Sequence, residues 1–362
     1  MHDFVVVGAG PAGSRFARRA AEAGRDVVVF EQGEIGKPLA CSGHVSLDVW
    51  EYVPEAARDD LFQNAIYGAR FHLGGPGSRA YPFYKQTPVS NAIDRVGLDR
   101  TLAGLARDAG AAVRDHHTVT NVAEHADRVE VTVKGPDGTE TVAARMVVGA
   151  DGPRSRTRRD LGLPGPDELL HGVLGFDPDP DDEDFVDVHL TVPGFFAWRI
   201  PRGDAGVEYG LAASPGADVA ARFEDLLSGY GVADAVGHRC SGAIPIGPPE
   251  TVTSRRGLLL GDAAGQTKPF TGGGILYGMT AADVAARTVD PDRPATLQAY
   301  ERGWRDELER DISLGHWLRR AYSLPDPVKR LGLRAFSGEI GVHMDRPTSL
   351  FSADQLRAML SR

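Results

Sequence analysis

The sequence predicts a mixed α/β protein in which a doubly wound α/β domain is interleaved with an α+β domain and followed by a helical C-terminal tail. Residues 3–7 and 26–30 are short apolar runs, typical of buried parallel strands, and residues 14–23 between them have helical periodicity. Residues 186–213 alternate apolar and polar positions and are rich in aromatic residues, which favours an antiparallel sheet. Residues 297–317 have the periodicity of a long helix.

The remaining elements are short and are separated by turn-forming residues. Residues 135–138, Gly-Pro-Asp-Gly, predict a hairpin turn, and residues 176–187 predict an acidic loop. Helices are predicted over residues 96–109 and 274–289, and strands over residues 113–119, 129–134, 141–148 and 258–260.

The predicted domains are discontinuous, because the parallel-strand patterns are far apart in the sequence. We assign residues 1–60, 92–165 and 255–300 to a nucleotide-binding domain, residues 61–91 and 166–254 to a substrate-binding domain, and residues 301–362 to a C-terminal helical segment.

Composition narrows the function classes. The chain of 362 residues has a net charge of -10, with 33 Asp against 17 Glu and only 5 Lys. A net negative protein is a poor candidate for nucleic-acid binding, and this balance favours a salt-adapted source over GC-rich coding alone. The 2 Cys cannot form a disulfide scaffold, and no apolar run approaches about 18 residues, so we expect a cytoplasmic protein.

A glycine-rich turn follows the first predicted strand. Gly8, Gly10 and Gly13 form the pattern Gly-x-Gly-x-x-Gly, which suits a tight turn, close approach of a pyrophosphate and close helix–strand packing. Glu31 ends the second strand, where a carboxylate can bind an adenosine ribose. The sequence therefore predicts a Rossmann-type dinucleotide site, with a ligand-free glycine turn as the alternative.

Three separated motifs resemble the FAD-dependent hydroxylase superfamily: the glycine-rich turn, residues 150–155 and residues 260–265, together with Arg95. The resemblance implies that Asp262 binds the FAD ribitol and that Arg95 lies near the pyrophosphate. Asp262 could also be an N-cap of the following helix, which is compatible with a ligand role, and a surface salt bridge is the alternative for Arg95. The predicted cofactor-binding residues are Gly8, Gly10, Pro11, Ala12, Gly13, Glu31, Cys41, Arg95, Asp151, Gly261, Asp262, Gly273, Gly274 and Ile275.

Four stretches resemble the geranylgeranyl reductase family more closely, and the resemblance covers most of residues 1–290. They are the Cys-containing loop at residues 36–43, the segment 151–159, the motif 193–201 and the flavin-flanking loop 265–277. Two residues depart from the family motif Pro-x-x-Tyr-x-Trp-x-Phe-Pro: Phe196 stands at the Tyr position and Ile200 at the Phe position. The resemblance implies a lipophilic substrate pocket.

Alternation along the predicted strand supports an apolar pocket. Phe196, Trp198 and Ile200 lie on one face, as a polyprenyl chain would require, although the same face could be sheet core. Pro269 and Phe270, in the flavin-flanking loop, complete the predicted substrate-binding residues.

The predicted chemistry needs a reductant and a proton. Flavin supplies the redox step, and the Cys41 thiol is the candidate proton donor; a small buried apolar residue is the alternative for Cys41. Gly272 and Gly273, at the start of a predicted helix, could stabilise reduced flavin through their N–H groups. No metal site is expected, since Cys41 and His44 lack a second ligand pair.

These features predict an FAD-dependent reductase that saturates C=C bonds of geranylgeranyl or polyprenyl chains, as in archaeal ether lipids or their precursors. An FAD monooxygenase of an aromatic or polyketide substrate and an electron-transfer flavoprotein donating to quinone are the alternatives. The expected partners are an isoprenoid lipid and an external reductant, such as NAD(P)H, ferredoxin or another carrier. The tail combines apolar and basic residues, which suits peripheral contact with the inner face of the membrane; a helix packed against the catalytic domain is the alternative. No nucleic-acid partner is expected.

Overall fold

The computed structural model describes residues 1–38 and 41–340. These residues form two compact units, and neither is continuous in sequence. The first unit comprises residues 1–38, 96–169 and 245–309, and the second comprises residues 41–95, 170–244 and 310–340.

The unit boundaries differ from the domain boundaries expected from the sequence. Residues 41–60 lie in the second unit, because the strand at residues 44–46 pairs with the strand at residues 90–93. Residues 245–254 and 301–309 lie in the first unit.

The described strands, numbered in chain order, are β1 His2–Val7, β2 Val27–Phe30, β3 His44–Ser46, β4 Phe62–Ile66, β5 Gly68–His72, β6 Ala80–Tyr84, β7 Ser90–Ile93, β8 Ala112–Arg114, β9 Thr118–Glu124, β10 Val129–Gly135, β11 Gly138–Gly149, β12 Glu168–Asp177, β13 Phe185–His189, β14 Ala197–Pro201, β15 Val207–Ala213, β16 His238–Ile246, β17 Gly257–Leu259 and β18 Gly338–Glu339. The described α-helices are α1 Pro11–Glu22, α2 Arg58–Leu61, α3 Arg95–Asp108, α4 Arg156–Asp160, α5 Val219–Tyr230, α6 Ile275–Thr288, α7 Leu297–Arg319 and α8 Asp326–Phe336.

The first unit contains a seven-stranded sheet with the order β8-β2-β1-β11-β10-β9, and β17 also pairs with β11. β8, β2, β1, β11 and β17 are parallel, whereas β9, β10 and the first half of β11 form an antiparallel meander. Val5, Val28, Val131 and Val147 pack in one buried cluster on this sheet. The mixed α/β class with a Rossmann-type domain is therefore confirmed.

Two local predictions in the chain are corrected. The single strand expected over residues 113–119 is two strands, β8 and β9, because the chain turns at His116, whose φ is 55°. The acidic loop expected over residues 176–187 is shorter, since β12 extends to Asp177 and β13 begins at Phe185.

The second unit contains an eight-stranded sheet with the order β16-β12-β15-β14-β13-β5-β6-β18 and a three-stranded sheet with the order β3-β7-β4. The large sheet is mainly antiparallel, as predicted, but β13 pairs with β5 and β18 with β6 in parallel. Helix α5 covers one face of this sheet, where Phe223 and Leu226 pack with Tyr209 and Leu211.

The C-terminal tail is helical through α7 and α8, as predicted, and β18 then joins the edge of the large sheet beside β6. No helix of the described residues combines the length and the apolar character that a bilayer crossing requires. The predicted tail residues 341–362 lie outside the described residues.

Candidate flavin and substrate sites

The glycine-rich turn packs too closely for side chains at two of its three glycines. Gly8 follows β1 with a φ of 100°, and a Cβ there would collide with the carbonyl of Ala150. A Cβ on Gly13 would collide with the carbonyl of Gly8, whereas a Cβ on Gly10 would have no atom within 4 Å. Gly8 and Gly13 therefore hold the turn against the sheet, and the space at Gly10 suits close approach of a pyrophosphate.

Helix α1 begins at this turn. Pro11 occupies its first position and Ala12 its second, so the N-terminal N–H groups and the positive end of the helix dipole lie at the glycine turn. The Glu31 carboxylate, after β2, accepts a hydrogen bond of 2.8 Å from the N–H of Ala9. The two predicted ends of a dinucleotide site are thus in contact within the first unit.

Three small residues bring the second predicted motif to the same place. A Cβ on Gly261 would lie 3.2 Å from the Cβ of Ala12, and a Cβ on Gly278 would lie 3.1 Å from it. The turn at Gly261–Ala264 and the first turns of α1 and α6 therefore pack together. Asp262, Gly274 and Ile275 are brought close to the glycine-rich turn in this way.

Asp262 does not occupy the N-cap position of either neighbouring helix, a role that the sequence also allowed. It is the second residue of the short 3-10 helix Gly261–Ala264, whose N-cap is Leu260, and the N-cap of α6 is Gly274. A Cβ on Gly274 would lie 2.6 Å from the Asp262 carboxylate oxygen Oδ1. Glycine at residue 274 therefore leaves room for this carboxylate.

The flavin-flanking loop is held by buried side chains that the sequence did not single out. The Gln266 Oε1 accepts from the N–H of Gly261 at 2.8 Å, and its Nε2 donates to the Tyr300 hydroxyl at 3.0 Å. Tyr300 in turn donates to the carbonyl of Leu259 at 2.7 Å, and burial raises the pKa of Tyr300. Tyr300 lies on α7, 34 residues from Gln266, so a distant helix holds this loop in place.

The loop uses one of the two N–H groups predicted to stabilise reduced flavin. The N–H of Gly272 donates to the carbonyl of Lys268 at 2.8 Å, so Gly273 remains the candidate donor. Gly273 is exposed, Pro269 is buried and Phe270 is half-buried.

Asp151 holds the start of α4 instead of presenting its carboxylate to open space. Oδ1 accepts from the Ser155 hydroxyl at 2.6 Å, and Oδ2 accepts from the N–H groups of Arg156 and Thr157 at 2.8 and 2.9 Å. The carboxylate of Asp151, a predicted cofactor-binding residue, therefore shapes the turn that packs against Gly8. Arg158, which the sequence did not single out, donates to the carbonyls of Ala263 and Pro153 and links two of the motifs.

The remaining predicted flavin residues lie in the second unit. Arg95 is 6% exposed at the first position of α3, and its burial excludes the exposed-surface alternative. Cys41 is half-buried, and its thiol donates to the carbonyl of Ser42 at 3.4 Å. Their contacts with flavin remain predictions.

The predicted substrate face lies on the side of β14 away from α5. Cross-strand register places Trp198 opposite Gly210 and Ile200 opposite Glu208, so these four residues share a face. The α5 cluster uses the alternate residues, such as Ala197 and Leu211. The sheet core beneath α5 and the predicted pocket residues are therefore on opposite faces.

Aromatic rings form a continuous group on the predicted substrate face. The centre of the Phe196 ring lies 5.9 Å from that of Trp198 and 5.8 Å from that of Tyr322. The Phe196 ring also stacks on the Phe195 ring, with 4.3 Å between their centres. Tyr322 follows α7, and burial raises the pKa of its hydroxyl. The C-terminal segment therefore contributes to this face, which motif spacing could not show.

The opposite face carries a buried polar row. The His72 Nε2 donates to the Asp187 carboxylate at 2.9 Å and the His189 ring stacks on His72 at 4.6 Å. Although burial alone would raise the pKa of Asp187, the hydrogen bond from His72 and the charge of Arg70 lower it. Burial lowers the pKa of His189, whose Nδ1 donates to the carbonyl of Gly74 at 2.9 Å.

The lowered pKa of His189 predicts a loss of stability in acid. Below the unfolded pKa of 6.5 the unfolded chain binds more protons than the folded chain, so stability falls as pH decreases through this value. We therefore expect the unfolding free energy to decrease as the pH falls below the unfolded pKa of 6.5. Thermal melts should show a smaller drop in His189→Asn and an unchanged drop in His171→Asn, an exposed control; equal drops in all three proteins would contradict the assignment.

Comparisons with known proteins show which family the chain belongs to. Two FAD binding domain profiles match, one at residues 3–82 and one at residues 53–200. The chain is 33% identical over 334 residues to digeranylgeranylglycerophospholipid reductase 2 of Methanopyrus kandleri, covering 84% of this chain and 83% of that protein. The chain belongs to the digeranylgeranylglycerophospholipid reductase family. Another family member, from Methanothrix thermoacetophila, is 33% identical over 86% of this chain and 85% of its own length.

Solved structures agree with the fold of this family. A geranylgeranyl bacteriochlorophyll reductase-like protein of Thermoplasma acidophilum superposes with a TM-score of 0.83 at 23% identity, covering 100% of this chain and 96% of that one. A p-nitrophenol 4-monooxygenase of Pseudomonas putida superposes with a TM-score of 0.73 at 18% identity, covering 100% and 97%. At these identities the likeness concerns the fold.

The chain is an FAD-dependent oxidoreductase, and its residues fit the cofactor. The space at Gly10 and the start of α1 suit a pyrophosphate, and the Glu31 carboxylate lies where a ribose is bound in such sites. The Asp262 carboxylate lies against a glycine at the start of α6. These observations support the resemblance to FAD enzymes.

Proposed function

We propose that this protein uses FAD to reduce C=C bonds in the geranylgeranyl chains of an archaeal ether lipid or its precursor. The similarity to digeranylgeranylglycerophospholipid reductases over 84% of the chain carries the proposal. The aromatic face of Phe196, Trp198 and Ile200 supports it, since a polyprenyl chain offers only apolar surface.

FAD, when bound, supplies the two electrons of the reduction. Glu31 binds the ribose, Asp262 binds ribitol hydroxyls, and the N–H groups at the start of α1 bind the pyrophosphate. The substrate face orients the alkene and excludes water, which matters because an isolated C=C bond has no polar group to activate. The reductant, NAD(P)H, ferredoxin or another carrier, comes from outside the chain.

Mass spectrometry of lipids tests the reaction directly. The FAD-loaded enzyme, reduced with dithionite, is incubated with a digeranylgeranyl lipid, and each saturated bond adds two hydrogen atoms to the lipid mass. Oxygen consumption with a hydroxylated product would favour a monooxygenase instead. Reoxidation by quinone with an unchanged lipid would favour electron transfer.

The Cys41 thiol donates the proton that the second alkene carbon needs. Cys41→Ser should slow lipid reduction about 100-fold, while reduction of the flavin by dithionite keeps its rate, because only the proton transfer is affected. Stopped-flow measurement of the two steps separates them, with Cys240→Ser as the matched control. Equal lipid turnover in wild type and Cys41→Ser would contradict the proton-donor role.

The C-terminal segment 317–336 gives the enzyme access to lipid at a membrane surface. It carries Trp317, Leu324, Val328, Leu331 and Phe336, five of the seven large hydrophobic residues exposed in the described chain. The same segment has five basic residues and one acidic residue, although the whole chain has a net charge of -10. Apolar side chains among basic ones are typical of interfacial helices on anionic lipid.

A charge placed in this segment should weaken membrane binding. Leu331, at 71% exposed, and Val328 lie three residues apart on α8, so Leu331→Glu with Val328→Glu should reduce cosedimentation with phosphatidylglycerol vesicles about tenfold. Phe62→Glu, another exposed position, is a charge-matched control for each single change. Vesicle binding unaffected by the α8 changes would overturn this route to the membrane.

The excess of Asp and the scarcity of Lys fit a salt-loving archaeon. High salt would also screen repulsion between this acidic protein and an anionic membrane.

A further inference from the structure

Arg202 follows β14 and connects four elements of the second unit. Its side chain is almost fully buried, and its Nε donates to the Gln63 Oε1 on β4 at 2.9 Å. Its Nη2 donates to the carbonyl of Ile93 on β7 at 3.2 Å, and its Nη1 donates to the Glu208 Oε2 on β15 at 3.3 Å. The guanidinium also lies over the Phe176 ring on β12, 4.9 Å from its centre.

Glu208 joins this arginine to the predicted substrate face. The Glu208 side chain is 0% exposed, and its second oxygen, Oε1, accepts from the Trp198 indole N–H at 2.9 Å. The indole lies across Gly210, where a Cβ would collide with the ring. One buried carboxylate therefore orients both the Trp198 ring and the Arg202 guanidinium.

The other end of the network reaches the Cys41 loop. Gly43 accepts a 2.9 Å hydrogen bond from the N–H of Ile93, whose carbonyl is bound to Arg202. A Cβ on Gly43 would collide with that carbonyl and lie 3.5 Å from the Arg202 Nη2. Gly43 is two residues from Cys41, so Arg202 packs directly against the loop that carries the thiol.

We propose that Arg202 is a positioning residue that holds the Cys41 loop and the Trp198 substrate face in one fixed arrangement, with Glu208 as its buried counter-charge. A guanidinium is suited to this role because its planar fork donates to three separate acceptors, which a lysine ammonium on a flexible stem cannot reproduce in the same geometry. The substrate part of this inference rests on the proposed function. The mechanical link between the loop and the face does not.

Alkylation of Cys41 by iodoacetamide measures the link without any lipid. In FAD-loaded Arg202→Lys we expect Cys41 to react about tenfold faster than in wild type, because Ile93, whose N–H is bonded to the Gly43 carbonyl of the loop, loses the hydrogen bond from Arg202. Cys240 serves as an internal reference, and peptide mass spectrometry reports both rates. Arg199→Lys is the matched control, since Arg199 is a buried arginine three residues before Arg202, on β14, and pairs with Asp181.

Two results would overturn the proposal. If Arg202 only balanced the charge of Glu208, Arg202→Lys would keep the wild-type Cys41 rate. If Arg199→Lys accelerated Cys41 equally, the effect would be general loosening. Should Arg202→Lys fold poorly, the pair Arg202→Met with Glu208→Gln removes both charges and keeps an acceptor for the Trp198 indole; the same acceleration is expected, and a wild-type Cys41 rate there would also contradict the link.

Geranylgeraniol in detergent provides the second arm. Geranylgeraniol should protect Cys41 from alkylation in wild type. It should not protect Cys41 in Arg202→Lys, because binding at the substrate face no longer affects the conformation of the Cys41 loop. Protection of both proteins to the same extent would contradict the coupling. No protection of wild type would count against the proposed substrate, while the lipid-free comparison would still decide the role of Arg202.

Discussion

Asp262→Ala protein is expected to lose most of its FAD during purification. The carboxylate lies against Gly274 at the start of α6, and the resemblance to FAD enzymes implies that it binds ribitol hydroxyls. Hydrogen bonds to a charged group contribute about 1.5–3 kcal/mol each, so the Kd for FAD should rise at least about tenfold. The ratio of flavin to protein absorbance after gel filtration measures the loss.

Two controls separate ligand loss from unfolding. Asp127→Ala removes a carboxylate that is 76% exposed in the same unit and should retain FAD. Asp262→Asn keeps an acceptor oxygen and should lose less FAD than Asp262→Ala. Wild-type FAD content in Asp262→Ala would show that this carboxylate is not the ribitol ligand.

Trp198→Ala should lower kcat/KM for a geranylgeranyl lipid by about 100-fold while FAD content stays at the wild-type level. The indole provides a large part of the aromatic face, and its removal leaves the Glu208 carboxylate without one of its two donors. Flavin binding should not change, since Trp198 is not one of the predicted flavin-binding residues.

Stability alone must be excluded as the cause of this effect. Leu211→Ala removes a fully buried side chain from the α5 face of the neighbouring strand, and it should cost about 2–5 kcal/mol without a specific effect on kcat/KM. Both variants are therefore compared at a temperature where each is folded. If Trp198→Ala and Leu211→Ala had the same catalytic effect, the face of Trp198 would be structural rather than substrate-binding.

Local sequence patterns predicted the glycine-rich turn because its requirements are local. A turn that tolerates no Cβ at Gly8 or Gly13 can be recognised from the spacing of its glycines. The same holds for the turn at residues 135–138, where Gly135 and Gly138 pair across a hairpin. Several strands and helices followed from apolar periodicity, but a turn at His116 divides the single strand expected over residues 113–119.

Side chains that act across the fold were not predictable in this way. Gln266 and Tyr300, Arg202 and Ile93, and Phe196 and Tyr322 are separated by tens of residues or more, and no spacing rule relates them. Their roles follow only from burial and hydrogen-bond geometry.

By itself, the sequence determined the fold class, the cofactor and the family, because these depend on glycines, strand ends and motifs that lie close together in the chain. The tertiary structure decided which residues of the motifs are engaged elsewhere: the Asp151 carboxylate with α4, and the Gly272 N–H with Lys268. It also decided that the aromatic face and the Cys41 loop share one buried arginine. A buried polar group needs a partner wherever the fold brings one, and that pairing is set by packing between distant segments.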